Sequence, residues 1–119
     1  MAVYLVEDDP SVRSAMEELA RSHGHEVRGF ETAETFFDAP PPTAKDVVVL
    51  DAALPGMSGP NAAIRLRQSG DPPAIVMVSG LRGPAYVRAC ARMAPDADLR
   101  KPLDATCFLA LLERLSDRP

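Results

Sequence analysis

Four short apolar runs of this chain each lead into polar side chains that could bind a cation or react. The groups that follow the runs are carboxylates, a hydroxyl and an ammonium. Because the carboxyl ends of parallel strands meet at one edge of a sheet, where ligand sites are built, we expect these groups to lie close together. They are Glu7, Asp8, Asp51, Ser79 and Lys101.

The acids among them, Glu7, Asp8 and Asp51, predict a cation site. Carboxylates held together repel, and at ~4 Å with an effective dielectric constant of about 20 each pair costs about 4 kcal/mol. A proton or a bound cation relieves this repulsion, and Mg²⁺ suits a site of one or two carboxylates, water and a phosphate oxygen. The alternative is a solvated loop at residues 7–9 in which Asp9 only caps a helix. The polar residues after the other runs favour the cation site.

Asp51 has a further capacity, because a carboxylate can attack phosphorus and form an acyl phosphate. Phosphoryl transfer depends mainly on positioning and charge neutralisation. Lys101 would supply a positive charge and Ser79 a hydroxyl donor, and the added charge of a phosphorylated Asp51 would draw both inward. Taken alone, Ser79 is typical of a turn and Lys101 of a protein surface. The only other lysine is Lys45, which makes Lys101 less typical of a solubilising residue.

The segments that must position these residues alternate between strand-like and helix-like patterns, which predicts a parallel α/β sheet. We expect five strands and five helices in strict alternation. The predicted strands are residues 2–6, 26–28, 47–50, 74–78 and 98–100. The predicted helices are one from Pro10, one over 33–38, one opened by Pro60, one over 84–93 and one after Asp104.

Local signals predict how the helices begin and which faces they bury. Asp9, Thr32 and Asp104 are predicted N-caps, and Gly24 suits the end of the first helix. Apolar residues at helical spacing predict a buried face on the first and the last helix. These faces consist of Val12, Met16, Leu19 and Ala20, and of Phe108, Leu111, Leu112 and Leu115.

Composition predicts one globular domain, residues 1–119, in the cytoplasm. With 46% hydrophobic and 25% charged residues the chain can bury a core. No apolar run approaches the ~18 residues of a membrane span, and the N-terminus lacks the pattern of a secretory signal. The net charge of −4 argues against nucleic-acid binding by this domain. Cys90 and Cys107 lack metal-type spacing and are expected to be reduced, small core residues.

Four motifs occur in order along the chain, each weak alone and specific together. They are LVEDD at residues 5–9, Asp51 followed by LPGMSG at 54–59, VSG at 78–80 and KPL at 101–103. With these motifs the chain resembles, over essentially its whole length, the receiver domain of bacterial two-component response regulators. Residues 27–34 are most similar to receivers of the FixJ type. The resemblance implies a doubly wound, flavodoxin-like (βα)5 fold with strand order 2-1-3-4-5.

The resemblance also implies the chemistry of the domain. Asp51 would accept a phosphoryl group from a sensor histidine kinase or a phosphotransfer protein, so that the domain is a signalling module and not an enzyme, beyond slow dephosphorylation of itself. Ser79 would follow the phosphoryl group and Lys101 would pair with it. The Lys101–Pro102 peptide bond would be cis. The output would be a contact with a second copy or with a downstream protein, without a membrane.

The same resemblance implies a Mg²⁺ site. Asp8 and Asp51 would bind the ion directly. Glu7 would act mainly through water, and the backbone carbonyl of Ala53 would be a further ligand.

The chain departs from the family pattern at two places. Asp98 stands where the family usually has the aromatic residue that relays movement of the Ser or Thr, and an acid cannot occupy a buried aromatic position without a large desolvation cost. Ala94–Pro95 stands where Gly–Ala is typical, and Pro95 prevents helix continuation. We therefore predict intact phosphorylation chemistry and an atypical readout through the helix over 84–93 and its preceding loop, residues 81–84.

Three alternatives stay open. A phosphatase or phosphotransferase of the haloacid-dehalogenase type also uses an Asp nucleophile, but its second acid lies two residues on, where this chain has Ala53. A pseudo-receiver would act as an interaction domain without phosphorylation, which the loss of the aromatic at Asp98 favours. The chain could also be the receiver portion of a DNA-binding transcriptional regulator or a receiver that stands alone.

Overall fold

The strands of the computed structural model, which describes residues 1–80 and 83–117, form one parallel sheet. The strands are β1 (Ala2–Val6), β2 (Glu26–Phe30), β3 (Val47–Asp51), β4 (Ala74–Ser79) and β5 (Ala97–Arg100). Their order in the sheet is β2-β1-β3-β4-β5, which confirms the predicted doubly wound fold. Leu81 and Arg82, in the loop predicted to take part in readout, and Arg118 and Pro119, at the end of the predicted domain, lie outside the described residues.

A helix follows each strand, and the helices cover both faces of the sheet. They are α1 (Pro10–Ser22), α2 (Ala33–Asp38), α3 (Gly59–Arg67), α4 (Pro84–Met93) and α5 (Ala105–Ser116). Helices α1 and α5 bury their apolar sides on one face, and α2, α3 and α4 on the other. Within the described ranges, none of these helices has the length and apolarity that a membrane crossing requires.

The three central strands are apolar along nearly their whole length because both of their faces are covered. In β1, Val3 and Leu5 belong to the core under α1 and α5, whereas Tyr4 and Val6 belong to the core under α2, α3 and α4. This alternation follows from the two-residue period of a strand. The sheet therefore separates two hydrophobic layers.

The predicted helix caps are present. Asp9 accepts hydrogen bonds from the N–H groups of Ser11 and Val12 at 2.9 and 3.2 Å, and Asp104 accepts one from Cys107 N–H at 2.9 Å. Helix α1 ends with His23 as the C-cap, and Gly24 follows it with a φ of +87°. Gly24, predicted for the C-terminal cap, is thus the left-handed residue that directly follows the C-cap.

Several element boundaries differ from the predicted ones by one or two residues. β2 continues to Phe30 because Phe30 pairs with Val6 at the end of β1. β3 and β4 include Asp51 and Ser79, and β5 starts at Ala97. Helix α3 begins at Gly59, one residue before the predicted start, because the Ser58 hydroxyl caps it by accepting from Asn61 N–H. Each difference reflects a partner strand or a cap that the hydrophobic pattern does not encode.

Helix α4 ends as predicted at Met93, and the next residue, Ala94, has a left-handed conformation with a φ of +46°. A left-handed conformation crowds the β-carbon against the backbone, which costs about 1–2 kcal/mol in residues other than glycine. The Ala94 carbonyl accepts a hydrogen bond from Arg67 at 2.8 Å, and Arg67 also pairs with Asp96 at 3.0 Å. Arg67 thereby helps to fix the strained turn before β5.

The prediction for the cysteines was wrong in part. Both are free thiols, as expected, but Cys107 is exposed in the first turn of α5 and only Cys90 packs partly against a core layer. Phe108, the next residue, is fully buried, so the α5 core face begins one position after Cys107.

Candidate functional site

The sheet brings the predicted polar residues to one edge. Glu7 follows β1, Asp51 ends β3, Ser79 ends β4 and Lys101 follows β5. These four strands are consecutive neighbours in the sheet, with Asp51 paired to Val78. Because all strands are parallel, their carboxyl ends form a single rim, as the strand pattern predicts.

Lys101 connects two of the acids. Its ammonium donates to Glu7 Oε1 at 2.9 Å and to Asp51 Oδ2 at 3.0 Å. Both carboxylates are nearly inaccessible to solvent, whereas 30% of the Lys101 side chain is exposed. One ammonium therefore hydrogen-bonds to two buried carboxyl groups, and the three side chains come from three different strand ends. The Lys101–Pro102 bond that follows is cis.

Burial and mutual contact determine which of the two acids, Glu7 or Asp51, is protonated. Burial, followed by the contact with Asp51, raises the pKa of Glu7 to about 7, although Lys101 opposes the shift. Burial also acts to raise the pKa of Asp51, but hydrogen bonds from a protonated Glu7, from Ala53 N–H and from Lys101 lower it overall. Asp51 is thus the charged member of the pair at neutral pH and the stronger candidate nucleophile.

Asp51 is also held from its own loop, residues 52–58. Its Oδ1 accepts a hydrogen bond from Ala53 N–H at 3.1 Å, so both carboxylate oxygens have defined partners. A β-carbon at Gly59 would lie 2.2 Å from the Asp51 carbonyl oxygen, which only glycine allows. The loop therefore closes tightly behind the carboxylate.

The acids suit a hard divalent cation. Glu7, Asp8 and Asp51 each offer one oxygen, and these oxygens lie within 4.8 Å of one another. Among the described residues, Glu7 Oε2 is buried without a hydrogen-bond donor, so it points to a proton or a cation. An all-oxygen, carboxylate-rich set is the kind that Mg²⁺ binds.

Ser79 lies beside this site, and its backbone carbonyl accepts a hydrogen bond from Lys101 N–H at 3.0 Å. Its side chain is buried and lines an open cavity of about 440 Å³ together with Ala52, Ala53 and Tyr86. Apart from the partly buried Tyr86 ring, the walls are small residues of the loop after β3 and of the start of α4, together with Pro60 of α3. Among the residues that the structure describes here, the aromatic side chain that borders the space next to Ser79 is therefore Tyr86 of α4.

Asp98 occupies the position on β5 where the family usually has an aromatic residue. It is exposed on β5 and pairs with Met77 of β4. The acid thus stays at the surface, as its desolvation cost requires.

Sequence reasoning missed three residues that contact the site or its loop. Arg13 donates to the Glu7 carbonyl at 2.7 Å, Glu34 accepts from Met57 N–H at 3.0 Å, and Tyr86 borders the Ser79 cavity. Glu34 and Met57 are 23 positions apart in different elements, so no local spacing could link them. Arg13 could have been found from its place on the first turn of a helix that starts beside Glu7.

Comparisons with known proteins agree with this geometry. The family model of the response regulator receiver domain matches residues 3–113. The transcriptional regulatory protein FixJ of Bradyrhizobium diazoefficiens is 30% identical over 112 residues, which cover 93% of this chain and 54% of FixJ. Nodulation protein W of the same organism is 36% identical over 84% of this chain and 44% of its own length.

Solved structures have the same fold. The response regulator StyR is 34% identical, with a TM-score of 0.83 over 95% of this chain and 57% of StyR. The BeF3-activated receiver domain of DrrB has a TM-score of 0.87 over 99% of this chain and 100% of that domain, at 23% identity. The chain thus spans about half of FixJ and StyR. From the matched family, the shared strand order and the acid–lysine rim, it follows that this chain belongs to the response regulator receiver domains of two-component systems.

Proposed function

We propose that Asp51 is a phosphoryl acceptor, phosphorylated by a sensor histidine kinase or a phosphotransfer protein in the cytoplasm. The observation that carries this proposal is the buried Asp51 carboxylate, whose Oδ2 accepts a hydrogen bond from Lys101 at 3.0 Å. A carboxylate with these partners is a ready nucleophile, because transfer needs positioning and charge neutralisation above all.

The chain's own residues account for the steps on the acceptor side. An Asp51 oxygen forms the new O–P bond while the bond from phosphorus to the donor nitrogen or oxygen breaks, and the electron pair leaves with the donor. Lys101 and the Ala53 N–H already bind the two Asp51 oxygens, and they orient the carboxylate. After transfer, Lys101 pairs with the added charge, and Ser79 donates its hydroxyl to a phosphoryl oxygen.

Glu7, Asp8, Asp51 and the Ala53 carbonyl would hold Mg²⁺. The buried, donorless Glu7 Oε2 and the clustered carboxylate oxygens support this assignment. When bound, the ion neutralises charge on the phosphoryl oxygens during transfer.

The proposed readout differs from that of a receiver with an aromatic at the position of Asp98. Tyr86 borders the cavity beside Ser79 and belongs to α4, so a shift of Ser79 towards Asp51 would open space for the Tyr86 ring. We propose that α4 moves with this ring and alters contacts with a second copy or a downstream protein.

The acceptor role is tested by incubating the chain with acetyl phosphate or phosphoramidate and Mg²⁺ and measuring its intact mass. We expect one added phosphoryl group, lost in Asp51→Asn and lost when EDTA replaces Mg²⁺. Asp71→Asn, which removes an exposed loop carboxylate, is the matched control and should be labelled like the wild type. An unmodified wild-type chain would instead support the pseudo-receiver alternative.

The names of the relatives favour a regulator of transcription as the protein context. FixJ is a transcriptional regulatory protein, and this chain matches about half of it. We propose that phosphorylation of Asp51 controls such a regulator. The reading frame beyond residue 119 tests the idea, because a DNA-binding segment there would support it and a stop codon would favour a receiver that stands alone.

A further inference from the structure

Glu34 reaches from α2 to the loop behind the candidate acceptor. Its carboxylate Oε2 accepts a hydrogen bond from Met57 N–H at 3.0 Å, although the carboxylate is exposed and the two residues belong to different elements. The Met57 N–H, together with the backbone N–H of Glu34, holds the pKa of Glu34 below its usual value. An ionised carboxylate is therefore the form that makes this contact.

The tip of the loop is shaped around this carboxylate. Gly56 has a φ of +71°, a conformation that favours glycine. A β-carbon at Gly56 would lie 2.5 Å from Glu34 Oε2. Glycine thus serves two needs at this position, since it adopts the left-handed turn and leaves the space that the carboxylate occupies.

The other end of the same loop touches the acceptor. Ala53 N–H binds Asp51 Oδ1 at 3.1 Å, and Gly59 N–H approaches the Ala52 carbonyl at 3.4 Å. Leu54, between these contacts and the tip, is buried in the core layer under α2 and α3. The loop is therefore fixed at its base by its own backbone and at its tip by Glu34.

We propose that Glu34 is a positioning residue of this site, which acts through Met57 to fix the loop that presents Ala53 to Asp51 and to the cation. Glu34 does not itself touch the reacting atoms. The inference rests on the proposed function in one respect, the assignment of the Ala53 carbonyl as a Mg²⁺ ligand. It also makes α2, a helix of only six residues, a support of the acceptor site.

Four variants separate the effect of the Glu34 side-chain length from the effect of its charge. Glu34→Ala removes the acceptor, Glu34→Asp keeps the charge on a side chain too short to reach, and Glu34→Gln keeps an acceptor oxygen at full length without charge. Glu31→Ala removes a neighbouring exposed acid and is the matched control. Mg²⁺ alone is titrated into the full chain and followed by amide NMR signals, and hydrogen exchange of the Met57 amide is measured in the same samples.

We expect Glu34→Ala and Glu34→Asp to bind Mg²⁺ about tenfold more weakly, the loss typical of residues that support metal ligands. Both should lose protection of the Met57 amide, and Glu31→Ala should resemble the wild type. Glu34→Gln should fall between Glu34→Ala and the wild type, because a neutral amide oxygen is a weaker acceptor than a carboxylate. Equal Mg²⁺ affinity in all variants, or a Gln variant as weak as the Ala variant, would overturn the positioning role. Phosphorylation of the wild type is measured separately, so a wild type that accepts no phosphoryl group refutes the proposed function and leaves this comparison intact.

Discussion

Lys101 Nζ lies 3.0 Å from Asp51 Oδ2, although 50 positions separate the two residues. The contact crosses β4, which lies between the strands that carry the two residues. It therefore forms only when β3, β4 and β5 are paired, and it links the integrity of the sheet to the charge balance of the site.

Replacing this lysine should destabilise the fold in a way that a cation can reverse. Lys101→Met leaves Glu7 and Asp51 without a cation, and removing one partner of a buried pair costs about 3–5 kcal/mol. Because Lys101 is partly exposed, we expect about 1–3 kcal/mol in urea unfolding at neutral pH with EDTA. Added Mg²⁺ should restore part of the loss, since a ligand that binds the folded state stabilises it.

Lys45→Met is the control for that experiment, because Lys45 is the only other lysine and is exposed. Its stability should stay within about 0.5 kcal/mol of the wild type. A Lys101→Met chain as stable as the wild type in EDTA would mean that the lysine does not neutralise the two acids in solution.

Ala94→Gly should stabilise the protein. Glycine removes the strain of the left-handed turn at φ +46°, and part of this gain is offset by the larger backbone entropy of the unfolded chain. We expect a net gain of about 0.5–1 kcal/mol in the free energy of unfolding. Ala91→Gly, in the interior of α4, should instead lose about 1 kcal/mol, and equal effects of the two substitutions would contradict the assigned turn.

Asp46 should make stability depend on pH in the acid range. It accepts from Ala2 N–H and Thr43 N–H, both at 2.8 Å, and ties the start of β1 to the start of β3. Burial acts to raise the pKa of Asp46, but these N–H groups and the Thr43 hydroxyl lower it below 3.8 overall. Since the folded-state pKa is the lower one, the stability that Asp46 contributes is present above pH 3.8 and is lost as the pH falls through the folded-state value.

Asp46→Asn tests this dependence. At pH 7 we expect it to lose about 1–3 kcal/mol, because an amide nitrogen replaces one hydrogen-bond acceptor. The difference from the wild type should shrink as the pH falls below 4, measured by urea unfolding at each pH, while exposed Asp71→Asn shows no such trend. A difference that stays constant down to pH 3 would show that the charge of Asp46 is not involved.

Tyr86→Leu tests the proposed readout. Leucine keeps apolar bulk in α4 but removes the ring that borders the Ser79 cavity. We expect phosphorylation of Asp51 to persist, whereas the amide shifts that beryllofluoride and Mg²⁺ induce in α4 should largely disappear. Val87→Ala, an exposed neighbour on the same helix, should keep them, and unchanged α4 shifts in the leucine variant would exclude Tyr86 from the readout.

Local signals in the sequence were sufficient for much of the fold. The bounds of α2 and α4 were predicted correctly because Thr32 caps one helix and Pro84 and Pro95 delimit the other. The length of β2 was not, because Gly29 interrupts the strand pattern, and the segment to Phe30 becomes a strand through pairing with β1. Local sequence patterns indicate helix caps and hydrophobic periodicity, whereas the end of a strand depends on its pairing with a neighbouring strand.

The same distinction holds at the candidate site. The strand pattern was sufficient to predict that Glu7, Asp51 and Lys101 meet, because parallel strands end at one rim. The contact between Glu34 and Met57 depends on how α2 lies against a loop, and a hydrogen bond from a backbone N–H leaves no signal in the sequence pattern. The exposure of Cys107 depends on where the buried face of α5 begins. The hydrophobic periodicity of α5 does not define this start to better than one residue.

The division of the core by the sheet has a consequence for engineering. Side chains under α1 and α5 and those under α2, α3 and α4 belong to separate hydrophobic clusters. Residues that do not touch usually contribute additively to stability, so changes in the two clusters should combine with little interference. Libraries that repack the core under α1 and α5 and libraries that repack the core under α2, α3 and α4 can therefore be selected apart and then recombined in one chain.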